Sequence, residues 1–505
     1  MAEPNLPVIV GAGQFTNRSR DLADAVEPLD MMDAVARAAQ DDAGVPGLLP
    51  RLDSLQIVNI MAWPYADAVG LLAERLGANP RHRVYTAVGG ESPQRIINET
   101  AQAIVSGDVR LAFLCGAEVL HTARRARKEG FDLPWHKRGT PVQVVGDTRT
   151  GVNDAEARHG TVRPITMYPL FENAMRAHLG LTIDEHRQRL GVLCERFSAV
   201  AATNPYAWFQ EAFTAGEITT VSADNRMICF PYPKRMNAIM QVDQAAGVIL
   251  TGSRTAEELG IPRDRWVYLW GCGDAVDKWF VSDRVNYFSS PAIKAATGRA
   301  LSMAGLGVDD ITMFDLYSCF PIAVQLAMAE LGLALDDPRP LTLTGGLPYF
   351  GGPGNNYVMH SVAAAVSCLR EDPQARALVT GLGWFATKHS AGVYGAAPPP
   401  AGRWQRTDPK ADQARLDAMD SPPTVERAEG PASVETYTVQ FDREGNPELG
   451  IVIGRLGNGE KPGARFLANI EGDPELLWSM TREEFIGASG QVTPHDASGR
   501  NIFQP

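Results

Sequence analysis

Apolar residues recur along the chain with two alternating periods. Pro7–Gly11 (PVIVG) is a short apolar run closed by glycine and reads as a strand. A helix follows over about Leu29–Ala43, where Met32, Val35, Ala36 and Ala39 fall on one face at helical spacing. SLQIVNI at 54–60 reads as the next strand. A second unit at 88–118, VGGESPQRIINETAQAIVSGDVRLAFLCGAE, runs glycines, helix, short turn and buried strand. Helices alternating with wholly apolar strands predict a parallel sheet covered on both faces.

The same order returns downstream. SPAIKAATGRALSMAGLGVDDITMFDLYSCF at 290–320 is a helix and a strand. TGGLPYFGGPGNNYVMHSVAAAVSCLREDPQARALVTGLGW at 344–384 is a glycine-rich loop, a helix, a turn and a buried strand. Val35–Cys115 and Ile293–Gly383 therefore read as two copies of one pattern, which predicts two similar halves with function at their seam. Between them, His121–Met240 is rich in Arg, His, Trp and Tyr and reads as an excursion carrying ligand-binding elements. AAPPPAGRW at 396–404 and SPPT at 421–424 mark a Pro-rich break. Beyond it, ETYTVQFDREGNPELGIVIGRL alternates about a Gly445-Asn446-Pro447 turn, a hairpin signal, and ARFLANI adds a strand. The expected division is a first half over 1–120 with 241–255, the excursion over 121–240, a second half over 256–400, a linker over 401–423 and a mainly β, barrel-like domain over 424–505.

Composition narrows the function classes. The 505 residues carry a net charge of -12, and the β domain is itself acidic, which disfavours nucleic acid and anionic membrane as partners. Six cysteines lie far apart with no C-x-x-C, so neither a metal site nor a redox pair is indicated, and reduced thiols fit a cytoplasmic protein. No secretory leader is visible at the N-terminus. No apolar run reaches the roughly 18–20 residues of a spanning helix, so membrane insertion is not expected. GAGQFT at 11–16 lacks the third glycine and the context of a dinucleotide site.

Four stretches, PVIVGAGQF, MNAIMQVDQAAGVILTG, ALSMAGLGVDDITMFDLYSCF and TGGLPYFGGPGNN, resemble the thiolase superfamily in order and spacing over residues 5–395. Within it they are similar to the sterol carrier protein 2 thiolases and thiolase-like protein type 1, a group often labelled acetyl-CoA acetyltransferase. The resemblance implies an α/β fold with a five-layer αβαβα core of two similar halves, each with a mixed five-stranded sheet. It also implies a loop domain that holds coenzyme A, and acyl transfer or Claisen chemistry. That chemistry needs a thiolate at a helix N-terminus, a second acid/base and oxyanion donors.

Position by position, the resemblance puts the nucleophilic Cys at Gly89 or Gly90, and no cysteine lies nearby. Ser92 is the hydroxyl candidate there, although Ser92-Pro93 ahead of an amphipathic helix reads first as an N-cap. In the second loop the family His-Asp-Cys-Phe becomes Tyr317, Ser318, Cys319 and Phe320, so Cys319 is the candidate acid/base, or else a small buried residue. In the third loop the family His is Gly352. Asn355, Asn356 and His360 are candidate oxygen donors in its place. The late family cysteine is absent, and Lys388 and His389 stand in that turn as candidates to hold a phosphate or carboxylate. Asn237 and Asp243 match the coenzyme segment, whereas its Ser and Gly become Ile239 and Met240. Arg124, Arg125, Arg127, Lys128, Lys137 and Arg138, around Trp135 and His136, suit the phosphates and adenine of coenzyme A.

The leading expectation is a protein of lipid metabolism that binds coenzyme A or an acyl-CoA thioester as ligand, with no tightly bound cofactor and without ordinary thiolase activity. Two others stay open: an acyltransferase using Cys319 without an acyl-enzyme, and a scaffold that docks a protein partner through its C-terminal β domain. The resemblance implies a family whose members usually form dimers or tetramers through the core, which makes a homo-oligomer one expected arrangement, although an added domain could alter it.

Overall fold

A computed structural model of the chain describes residues 4–399, 404–457 and 461–505. Nine strands form one continuous sheet. Their order is His82–Tyr85, Ser54–Ile57, Leu111–Val119, Asp243–Gly252, Pro7–Thr16, Val267–Val276, Lys388–Gly395, Arg376–Gly383 and Met313–Asp315. The first five make one half and the last four the other. They join where Val8 and Ile9 pair with Tyr268 and Val267. In the second half the place of a fifth strand is taken by Pro340–Leu341, whose carbonyls accept from Phe314 and Leu316.

Helix Ser92–Ser106 packs against strands of both halves and against helix Tyr357–Glu371, so these two helices form the middle layer. Helix Pro28–Ala43 covers the outer face of the first half, and Pro291–Ala304 that of the second. This is the expected αβαβα order. The halves dock their outer helices by one device. A Cβ on Gly11 or Gly13 would lie 1.9 or 2.2 Å from the carbonyl oxygen of Ala39 or Val35. On Gly271 or Gly273 it would lie 2.2 or 2.1 Å from that of Ala300 or Ala296. The G-x-G of the first strand thus serves backbone-to-backbone helix docking, and the second half repeats it.

The C-terminal strands Gly430–Phe441, Pro447–Leu456, Arg465–Ile470, Arg500–Gln504 and Ser489–His495 close into a barrel, because the first also pairs with the second. Its hairpin turns where expected, with the Asp442 carboxylate accepting from the Asn446 N–H and Nδ2. Tyr437, Val439, Phe466 and Phe503 fill the barrel. It is fastened to the rest of the chain. Arg465 is ion-paired with Glu435 at 2.7 Å and donates to the carbonyls of Ser282 and Arg284. Asn173 donates to Tyr437 O, and Met227–Cys229 joins the barrel sheet through Cys229 and Gln440.

Pro400, the last residue of the expected second half, and residues 401–403 of the expected linker lie outside the described residues. From Trp404 onward the linker is not free chain. Trp404 and Leu416 are buried, Arg406 pairs with Asp274, and helix Lys410–Asp417 lies against strand Val267–Val276. A buried aromatic and a half-buried ion pair hold it to the core. Among the described residues no helix is long and apolar enough to cross a membrane, and no group of His, Cys, Asp and Glu could hold a metal ion.

Candidate functional site

Three loops and one turn meet at the start of helix Ser92–Ser106. The second loop is fixed by Asp315, a buried carboxylate that accepts from the N–H groups of Leu343 and Thr344 at 2.7 and 3.2 Å. Burial pushes its pKa up, against those hydrogen bonds. Tyr317 N–H donates to Thr380 Oγ1. The turn after Gly383 holds Trp384 and Ala386 in the left-handed region, both at φ 54°, which is strained for residues with a Cβ. The Tyr168 hydroxyl holds this turn, donating to Trp384 O at 2.9 Å and accepting from Ala386 N–H. The turn delivers Lys388 to the helix mouth.

There Lys388 Nζ lies 2.7 Å from Glu91 Oε1 and donates to Val88 O at 2.7 Å; both side chains are buried. A Cβ on Gly89 would lie 2.1 Å from Glu91 Oε2 and 2.4 Å from Lys388 Nζ. On Gly90 it would lie 2.4 Å from the Tyr317 hydroxyl and 2.5 Å from Leu382 O. The ion pair and the phenol therefore fill the volume that a nucleophile's side chain would need. Gly89 N–H is occupied as well, donating to Asn355 Oδ1 at 2.9 Å.

The sequence-derived catalytic candidates scatter around this plug. Ser92 is fully buried and occupies the first helical position, not the cap; its hydroxyl donates to Ala87 O at 3.3 Å. Glu91 is the cap residue and makes no side-chain cap bond, because its carboxylate is turned to Lys388. Asn355 reaches the helix mouth, while Asn356 points away, with Nδ2 donating to Gly116 O at 2.8 Å. His360 is fully buried, with Nδ1 2.8 Å from Gln14 Oε1 on strand Pro7–Thr16; burial lowers its pKa to about 3, so it is a neutral core imidazole. Cys319 lies in the seam beside Tyr168. Burial pushes its thiol up to about 12, and the Tyr168 hydrogen bond offsets this only in part. Two small voids, one lined by Tyr317 and Leu382 and one by Ser318 and Phe320, hold about 10 Å³ each, barely the space of one water, and Cys319 lines neither.

The coenzyme-binding candidates separate too. Lys388 holds a carboxylate, but one supplied by Glu91. His389 is buried against Ala386 O, its pKa lowered to about 4 by burial. Asn237 donates to Pro233 O. The Ile239 backbone is locked between Leu347 O and Gly352 N–H. Arg124, Arg127 and Arg138 do come together, on a surface cleft of about 640 Å³ that Met61, Trp63, Phe131 and Met240 also line. The Arg138 guanidinium lies 4.1 Å from the centre of the Trp63 ring. Trp63 meets Trp135 edge-on and donates to His136 O. Arg125 turns from the cleft to pair with Glu129, and Lys137 is exposed and does not line it. Glu118 anchors the cleft floor by accepting from the N–H groups of Met61 and Ala62, and burial raises its pKa to about 7.

A crystal structure of a monomeric SCP2-thiolase-like protein type 1 from Mycobacterium smegmatis is similar over 100% of both chains, with 35% identity and a TM-score of 0.85. This chain belongs to that family. Its C-terminal segment, residues 413–497, matches the additional C-terminal domain of thiolase-like protein type 1. A curated acetyl-CoA acetyltransferase of Methanocaldococcus jannaschii is 22% identical over 304 residues, 58% of this chain and 68% of that protein. The acetyl-CoA acetyltransferase of Syntrophomonas wolfei shares the fold at 16% identity and a TM-score of 0.54, covering 78% of this chain and 100% of its own. The Ltp2-ChsH2(DUF35) aldolase does so at 16% and 0.58, covering 78% of this chain and 99% of its own. Both of these stop short of this chain's full length.

Glu91, Tyr317 and Asn355 are the residues that form the plug and that sequence reasoning passed over or treated lightly. One signal was present: an acid in the first loop and a lysine in the late turn, two segments that the thiolase resemblance brings together.

Proposed function

We propose that this chain binds coenzyme A or a CoA thioester in the cleft of Arg124, Arg127 and Arg138 and performs no covalent thiolase chemistry. The observation that carries the reading is the packing at Gly89 and Gly90, where Glu91, Lys388 and Tyr317 take the space of an attacking side chain. A covalent mechanism without its nucleophile loses several orders of magnitude in rate. Three arginines and an indole suit phosphates and an adenine ring. Met240, which stands where the family has a glycine next to the pantetheine-contacting position Ile239, lines the cleft with Met61, so the thiol end of the ligand stops near these two methionines. The acetyl-CoA acetyltransferase names of the relatives support a CoA-type ligand. Burial of Cys319, which holds its thiol protonated, speaks against the acyltransferase alternative.

Calorimetric titration with coenzyme A and acetyl-CoA tests this. Binding is expected for both, weakened at least tenfold by Arg124→Met with Arg138→Met. Absence of binding, or binding indifferent to both arginines, would refute the site.

A further inference from the structure

A second groove, of different character, lies where the excursion meets the barrel. It measures about 910 Å³, within the roughly 300–1,000 Å³ range of small-molecule sites. Its wall is apolar: Phe230 and Pro231 from the excursion, Phe441 and Trp478 from the barrel domain, with Val221 at the rim. Phe441 and Trp478 meet edge-on at 5.3 Å. Trp478 and Val221 remain 36% and 53% exposed, so they offer apolar surface to a ligand in the groove.

The rim is cationic in a chain of net charge -12. Arg187, Arg226, Arg443 and Arg482 line the groove, against Glu444 as the one acid among its lining residues. Arg187 is paired with Asp184. Among the described residues Arg226, Arg443 and Arg482 have no carboxylate partner. Arg226 is held in place by donating from Nη1 to the carbonyls of Met227 and Asp442, both at 3.1 Å. Arg482 lies over the Trp478 ring at 5.3 Å. An apolar body with uncompensated guanidinium groups at its edge matches one ligand chemistry.

We infer that this groove binds an amphiphilic organic anion, with an apolar chain against Phe441, Trp478 and Phe230 and a carboxylate or phosphate head on Arg443, Arg482 and Arg226. Guanidinium groups meet both heads in bidentate fashion, and the groove gives the added barrel a binding role that needs the excursion as its other wall. The site is separate from the Arg124–Arg138 cleft and does not depend on coenzyme binding there.

The full chain is titrated with dodecanoate, dodecyl phosphate, dodecanol and dodecyltrimethylammonium, each below its micelle threshold. Binding is followed by calorimetry and by the tryptophan fluorescence lost in Trp478→Phe. Both anions are expected to bind at least tenfold more tightly than the alcohol or the cation, and the tighter head identifies the natural source. Saturating coenzyme A leaves this binding unchanged. Arg443→Met with Arg482→Met, both exposed positions that spare the fold, weakens the anions at least tenfold and leaves the alcohol unaffected. Equal binding of alcohol and anion, indifference to the double variant, or no binding by either anion would overturn the inference.

Discussion

At the scale of single residues, the decisive feature is the Glu91–Lys388 pair. Removing one member of a buried ion pair leaves the other charge uncompensated, at a typical cost of about 3–5 kcal/mol. Lys388→Met should therefore lower the unfolding free energy by about that amount in urea titration, and Lys388→Met with Glu91→Leu should recover most of it. Equal effects of the single and double changes would show that the pair is not coupled. Restoring the family thiol should also fail. In Gly90→Cys the new Cβ would need the space 2.4 Å from the Tyr317 hydroxyl, so the variant should lose about 1–3 kcal/mol and its added thiol should remain unreactive toward thiol reagents in the native state. Rapid alkylation of that thiol without loss of stability would contradict the packing described. That this loop holds glycines and no cysteine could be read directly from the sequence. What packs against those glycines could not, because Glu91 and Lys388 lie far apart in sequence and only the fold makes them neighbours.

At the scale of elements, helix boundaries were the most readable part. Ser290, Pro291 and Gly305 bracket one outer helix, and Pro28 and Gly44 the other. The G-x-G of the first strand was visible but its purpose was not, since the carbonyls it meets belong to a separate helix further along the chain. Gly13→Ala should shift helix Pro28–Ala43 and cost about 1–3 kcal/mol, measured by thermal or urea unfolding; an unchanged midpoint would count against the close approach. Buried histidines give the elements a pH response. His360 and His389 titrate near 3 and 4 in the fold, against about 6.5 in an unfolded chain. The unfolded state thus takes up protons first. Their contribution is complete above about pH 6.5 and is lost on acidification, by up to about 1.4 kcal/mol per pH unit for each ring. Asp243, raised to about 6 by burial, acts in the opposite sense, opposing the fold as pH rises from about 4. His360→Gln should flatten the acid limb of a stability–pH curve, and Asp243→Asn the decline toward neutral pH. Unaltered slopes would mean that these groups are solvated in the folded chain.

For the molecule as a whole, the αβαβα core and the C-terminal barrel were legible because helical and alternating apolar periods separate them along the chain. How they join was not. The barrel is tied down by Arg465, Asn173 and Cys229, and the stretch after Trp404 returns along the core, through contacts that no local pattern announces. These junctions carry the two proposed ligand surfaces, one beside the segment that resembles the family's coenzyme stretch and one between excursion and barrel, while Glu91, Lys388 and Tyr317 pack against Gly89 and Gly90 in the seam. The most direct test uses acetyl-CoA labelled in its acetyl group. After equilibration, label bound to the native chain is compared with label retained once the chain is denatured. Label held by the native chain and wholly released on denaturation is the predicted result. Label that stays on the denatured polypeptide, or a native chain that never holds it, would contradict the account.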